Sequence, residues 1–186
     1  MKYKSMILGV VLAVQPVLIL AQTEKVFRGG DMSESALVDA LTPEGAAEQP
    51  VGGRTRQIRI SPVGQTPAVK AKPPAASMLI TFETNSAELT PKARQMLDVL
   101  GRALQSDKLA EFKFAIEGHA DPRGGDQFNY QLSQLRAASV VKYLSEVQNI
   151  SPGRLTPVGK GTTELMNTRD LAAPENRRVT VKTVVN

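Results

Sequence analysis

Apolar positions are sparse and irregular over 22–77 and dense and periodic from Met78 onward. Met78-Leu79-Ile80-Thr81-Phe82 predicts a strand. After Asn85-Ser86-Ala87, the pair Thr90-Pro91 supplies a helix N-cap and a first-turn proline. Ala93, Met96, Leu97, Leu100 and Leu104 then recur at helical spacing. Phe112, Phe114 and Ile116 alternate, which predicts a strand over 111–117. Over 127–148, Asn129, Leu132, Arg136, Val140, Tyr143 and Val147 share one helical stripe at about 100° per residue. A third strand over 155–159 leads into a loop at 160–174, and Val179 and Val181 lie on one face of a last strand over 178–184. Strands alternating with helices predict an α/β (α+β) fold of βαβαβ type, a mixed sheet packed against helices.

The stretch before this rhythm divides in two. Residues 1–5 are basic, residues 6–21 are largely apolar, and Ala21 ends the run with Ile19 two positions earlier, the pattern of a secretory signal peptide. The apolar run is 16 residues, broken by Gln15-Pro16, whereas a spanning helix takes about 20. Cleavage after Ala21 is expected, with a retained inner-membrane anchor as the alternative. Residues 22–77 are rich in Gly, Pro, Ala, Gln and Thr with few large apolar side chains, so alone they cannot bury a core and read as a flexible, disordered tether. Two local elements interrupt it. Ser33 can cap a short helix over 33–41, with Leu37 and Leu41 four apart and Thr42-Pro43 as its stop. A helix this short is marginal in water, so the reading is a transient helix, with docking to a partner as the alternative. Arg54-Thr55-Arg56-Gln57-Ile58-Arg59-Ile60 reads as a solvated, extended segment able to add to a sheet edge or meet an anionic surface. The predicted layout is a signal peptide at 1–21, a linker at 22–77 and a folded domain at 78–186.

Charge and composition remove several functions. The formal charge of +5 counts 23 basic against 18 acidic residues; without Lys2 and Lys4 the balance is 21 against 18, or +3, with no basic run in the folded part. Aromatics are 4% and there is no Trp, so no nucleic-acid partner is expected. A single histidine excludes a multi-histidine metal site. The absence of cysteine excludes disulfides, thiolate metal sites and a lipid carried on cysteine. Gly159-Lys160-Gly161-Thr162-Thr163 lacks the upstream glycine of a phosphate loop and has Gly161 where the hydroxyl residue should follow the lysine. Glu117 and Asp121 are close enough in sequence to suggest a glycosidase acid/base pair, but nothing else supports one, and His119 reads as a packing residue. No enzyme activity, cofactor or metal is expected.

What remains is Gly118-His119-Ala120-Asp121-Pro122-Arg123-Gly124-Gly125 and the helix after it. Asp121 falls in a Gly/Pro-rich turn at a strand's carboxyl end, a common address for binding groups. Asn129 and Arg136 interrupt an otherwise apolar stripe. A guanidinium held against a core without an anion is costly. Arg136 therefore belongs either to an internal ion pair with Asp121 or to a pocket for a zwitterion.

Four segments, in order, resemble the OmpA-like family, the carboxy-terminal domain of outer-membrane protein A and its relatives in peptidoglycan-associated lipoproteins and flagellar stator proteins. They are Ile80 through Leu89 (ITFETNSAEL), Gly118 through Gly124 (GHADPRG), Asn129 through Ala137 (NYQLSQLRA) and Glu175 through Val179 (ENRRV). The resemblance spans 78–186, 109 of 186 residues or about 59% of the chain. It implies a periplasmic, non-catalytic domain of a Gram-negative envelope, associated with peptidoglycan and, as a further expectation, with the outer membrane, that grips the diaminopimelate of the stem peptide. By matching position, Asp121 would accept the ammonium and Arg136 would take a carboxylate through its planar fork. Asn129 would bond the ligand or hold the turn, Asn85 would line the same pocket, and one of Arg177 and Arg178 would face it. The alternative is a scaffold whose tether recruits an envelope or secretion partner, with Asp121 and Arg136 a purely structural pair. Departures from the family are Ala120, where many members carry Thr, and Leu135, where a charge is common. In place of the barrel, lipidated cysteine or spanning helix of many relatives, only the tether is read.

Overall fold

The computed structural model describes residues 25–28, 32–43, 73–80, 82 and 85–185. The expected signal peptide, and the element expected at Arg54 to Ile60, lie outside the described residues. Within them the strands are β1 (Lys25–Phe27), β2 (Ala75–Met78), β3 (Lys113–His119), β4 (Leu155–Gly161) and β5 (Val179–Val184), and the helices are α1 (Glu34–Leu41), α2 (Pro91–Gln105) and α3 (Asp126–Glu146). Short 3-10 turns occupy Pro152–Arg154 and Pro174–Asn176. The strands form one mixed sheet in the order β1-β2-β5-β3-β4, parallel at β1/β2 and β3/β4 and antiparallel where β5 meets β2 and β3. The expected mixed sheet packed against helices is present.

Helix α2 begins where the sequence places it. The Thr90 hydroxyl accepts from the Ala93 amide at 3.2 Å, Pro91 opens the first turn, and Ala93, Met96, Leu97, Leu100 and Leu104 are buried. The strand predicted over 78–82 lies earlier, at Ala75–Met78. Ala76 and Met78 face the core opposite Val181 and Val179, while the hydroxyls of Ser77 and Thr180 meet at 2.6 Å on the other face. The Ile80 amide then donates to the Met78 carbonyl at 2.9 Å, which turns the chain off the ladder before Phe82.

The folded unit also reaches back into the stretch read as tether. Phe27, Leu37, Val38 and Leu41 are buried in the common core. The Ser33 hydroxyl caps α1 by accepting from Ala36 N at 3.2 Å, and the Thr183 hydroxyl donates to the Leu41 carbonyl. A helix too short to persist alone is held here by an apolar face laid on α2 and β2.

Helix α3 shows an informative shift. Its buried positions are Asn129, Ser133, Ala137, Val140 and Leu144, about one residue away from the predicted stripe, and Val147 is exposed. Glycines on the sheet explain the rotation: a Cβ on Gly118 would lie 2.2 Å from the Ser133 carbonyl oxygen, and one on Gly159 would lie 2.9 Å from the Gln134 nitrogen. Backbone meets backbone so closely that only small residues fit beneath the helix. Leu132 and Arg136 are turned to its flank, half-buried beside the carboxyl end of β3.

Candidate functional site

Past His119 the chain is pinned by the Ala120 amide, which donates to the Gly161 carbonyl at 2.8 Å, and by the His119 amide, which donates to Arg178 O at 2.9 Å. The β3/β4 register shifts between Gly118 and His119, at the end next to Asp121. Asp121 follows with 7% exposure. Its Oδ1 accepts from the Arg123 backbone N at 3.1 Å and from Arg123 Nε at 3.0 Å; its Oδ2 accepts from Arg123 Nη2 at 2.7 Å and Arg177 Nη1 at 2.8 Å. The hydrogen bonds from Arg123 hold the carboxyl well below its ordinary range, outweighing the burial that pushes it up, and Arg177 adds to the effect.

Arg136 reaches toward the same space from α3. Its Nε donates to Ser86 O at 3.0 Å, and the guanidinium lies 4.9 Å from the centre of the Phe82 ring. Burial pushes its pKa down, the positive charge of Arg177 does so further, and Asp121 opposes both. The ion pair between Asp121 and Arg136 allowed by the sequence is not formed. Asp121 is engaged instead by an arginine of its own loop and by one from the turn after Pro174–Asn176, while Arg136 sits over the aromatic wall.

A cleft of about 540 Å³ runs between these groups and contains Asn85, Asp121, Asn129 and Arg136, all four residues expected from the sequence. Asn85 adopts φ 53, a left-handed conformation that asparagine tolerates better than most side chains. Asn129 is buried and donates to the Arg123 carbonyl at 3.4 Å, so of its two expected roles the visible one is holding the turn. Arg177 lines the cleft. Arg178 instead runs inward, with Nε 3.3 Å from Ser77 Oγ and Nη1 3.2 Å from Glu164 O. Behind Arg177, the buried Asn176 side chain accepts from the amides of Met166 and Asn167 at 2.9 Å and donates to the carbonyls of Asn167 and Leu171 at 2.9 and 3.0 Å. That set fixes the loop from which Arg177 extends.

Sequence reasoning missed Arg123 and the apolar walls Phe82, Phe128 and Leu132. The spacing of Arg123, two residues after Asp121 in a tight turn, was the available signal. Glu117 and Asp121 engage different cations, which weakens the acid/base reading further. Glu117 lies 2.5 Å from Lys182 Nζ, close but poorly aligned for a hydrogen bond, and 3.5 Å from Lys160 Nζ. Donor atoms of Glu117, His119 and Glu164 lie within 4.8 Å of one another, as metal ligands could. The ammonium groups of Lys160 and Lys182 already stand at both carboxylates, at 2.6 and 3.6 Å from Glu164, where a cation would have to sit. His119 is buried, as expected of a packing residue.

A family model described as the OmpA family matches residues 81–178, over half of the chain. The chain belongs to the OmpA family. It is 33% identical over 129 residues to outer membrane protein A of Bordetella avium, covering 66% of this chain and 65% of that protein. With the peptidoglycan-associated lipoprotein of Pseudomonas aeruginosa it shares 34% identity over 103 residues, 54% of this chain and 59% of the relative. The chain thus spans less than two thirds of either relative's length. Among solved structures, the periplasmic domain of Helicobacter pylori MotB superposes with a TM-score of 0.50 at 20% identity, over 59% of this chain and 74% of that one, a likeness of fold alone. No helix among the described residues is long and apolar enough to cross a membrane.

Proposed function

We propose that this OmpA-family chain binds peptidoglycan in the periplasm without cleaving it, gripping the diaminopimelate of the stem peptide and so anchoring itself to the wall. The observation that carries the reading is the convergence of Asn85, Asp121, Asn129 and Arg136 on one cleft, with a carboxylate and a guanidinium that are not paired with each other. The far end of diaminopimelate carries an ammonium and a carboxylate on one carbon. Asp121 offers the acceptor for the first and Arg136 the planar donor for the second, against the ring of Phe82. Peptidoglycan is also the partner in the name of the Pseudomonas relative.

Pull-down on purified diaminopimelate-type peptidoglycan tests the reading. Asp121→Ala and Arg136→Ala should each lose binding while still unfolding cooperatively, Asp121→Ala at a lower melting temperature because its carboxylate also contributes stability. Retained binding in both would refute the site, and new muropeptide products after incubation would refute the non-catalytic reading. The scaffold alternative now has less to draw on, because the apolar face of α1 is turned into its own core and the Asp121–Arg136 pair is absent. Its remaining form is recruitment of an envelope partner by residues 44–72. Deleting those residues should leave wall binding intact, whatever it does to such a partner.

A further inference from the structure

A carboxylate offers about four lone-pair sites, and on Asp121 all four are taken: three by Arg123, through its backbone amide, Nε and Nη2, and one by Arg177. An incoming ammonium therefore finds no acceptor on Asp121 until a donor leaves. The donors differ in how firmly they are held. The Arg123 amide is part of the turn itself, and Arg177 Nη1 is also bonded to the Ala172 carbonyl at 2.8 Å. The Arg123 guanidinium, by contrast, hydrogen-bonds among the described residues to Asp121 alone, and its side chain is 66% exposed against 8% for the carboxylate it covers. It extends from a turn whose Gly124 has φ +106 and whose Gly125 has open space around it.

We propose, building on the peptidoglycan reading, that Arg123 is a specificity-determining residue: its guanidinium holds the ammonium position on Asp121, and a ligand ammonium binds there only by displacing it. Charge makes this exchange selective. Among the described residues the cleft is lined by one carboxylate, Asp121, and three guanidiniums, Arg123, Arg136 and Arg177, a balance of 3 − 1 = +2; Asp170 acts on Arg123 from outside. An ammonium without a carboxylate beside it would displace one cation with another and leave that excess unrelieved. A ligand with both groups on one carbon pairs its ammonium with Asp121 and brings an anion to the arginines. Arg123 thereby excludes ligands that end in a lone amine.

The test uses the full chain and two soluble stem tripeptides, L-Ala-γ-D-Glu extended by meso-diaminopimelate or by L-lysine, the side chain of the second ending in an ammonium with no carboxylate on the same carbon. Wild type should favour the diaminopimelate peptide. In Arg123→Ala the affinity for the lysine peptide should rise by about tenfold, a difference of about 1.4 kcal/mol, with a smaller change for the diaminopimelate peptide, so that discrimination narrows. Arg123→Gln should behave alike, which guards against a fold defect in one variant. An unchanged ratio, or equal weakening of both peptides, overturns the displacement role while leaving the peptidoglycan reading intact. Wild type binding neither peptide removes both.

Discussion

Among the described residues two buried carboxylates are ringed by cations, Asp121 at the end of β3 and Glu117 within it, and they are built differently. Glu117 meets Lys160 of β4 and Lys182 of β5, side chains from neighbouring strands whose positions are set by the sheet register. Asp121 meets arginines from two loops, 66% and 40% exposed, beside a cleft with an aromatic wall. Cations carried on a ladder have their backbones fixed by the sheet and can withdraw only by side-chain rotation, whereas cations carried on loops can also withdraw with the loop. A buried charge cluster is therefore a better candidate for binding where its counter-charges are mobile and open onto a cavity, and a better candidate for structure where they are strand-borne.

The largest effect that could break this contrast is on stability. Glu117→Gln leaves the ammonium groups of Lys160 and Lys182 facing each other across the strand with one carboxylate, the more exposed Glu164, where there had been two. It should destabilise the fold by about 3 kcal/mol, the lower end of the range for breaking a buried pair, because both lysines keep a solvent-facing side. Chemical denaturation reads this directly, and peptidoglycan binding of the folded protein should be unchanged. A binding defect in Glu117→Gln at full stability would erase the distinction between the two clusters.

A smaller effect concerns acid. The folded-state pKa of Asp121 is depressed below its ordinary value of 3.8, so the unfolded chain binds the proton more readily. The stability this group contributes is fully present above that value and is lost as pH falls through the lower folded-state pKa. The stability difference between wild type and Asp121→Asn should be constant from about pH 5 upward and shrink below about 3.8. By the same reasoning Asp121 stays ionised from pH 5 to 8, and any loss of ligand binding over that window would have to come from another group.

Much of this was legible from single residues. Thr90-Pro91 marks the start of α2 because capping is local chemistry, and Asp121, Asn129 and Arg136 stand out because polar groups break an apolar pattern. The remainder depended on partners distant in sequence. Phe27, Leu37 and Leu41 look too few to form a core, and they become core only when β2 and α2 present a surface to cover. The rotation of α3 escaped because the residues under it, Ser133 and Ala137, are small and carry no hydrophobic signal. Their role follows from Gly118 and Gly159 on strands elsewhere in the chain. Arg123 could be seen in the turn, but whether it folds back on Asp121 is a property of the turn's geometry.

The smallest expected effect tests that rotation. Leu135 and Arg136 are neighbours on α3, about 100° apart around the helix axis. With Ser133 and Ala137 beneath the helix, Arg136 falls on the flank that borders the cleft and Leu135 on the solvent side, 58% exposed. Leu135→Ala should therefore leave peptidoglycan affinity unchanged and shift stability by less than about 0.5 kcal/mol, as surface substitutions usually do. Arg136→Ala, one position on, should abolish binding. Were Leu135→Ala to weaken binding as well, the helix would have to sit nearer the stripe predicted from its apolar positions, and the close approach of Gly118 to Ser133 could not hold.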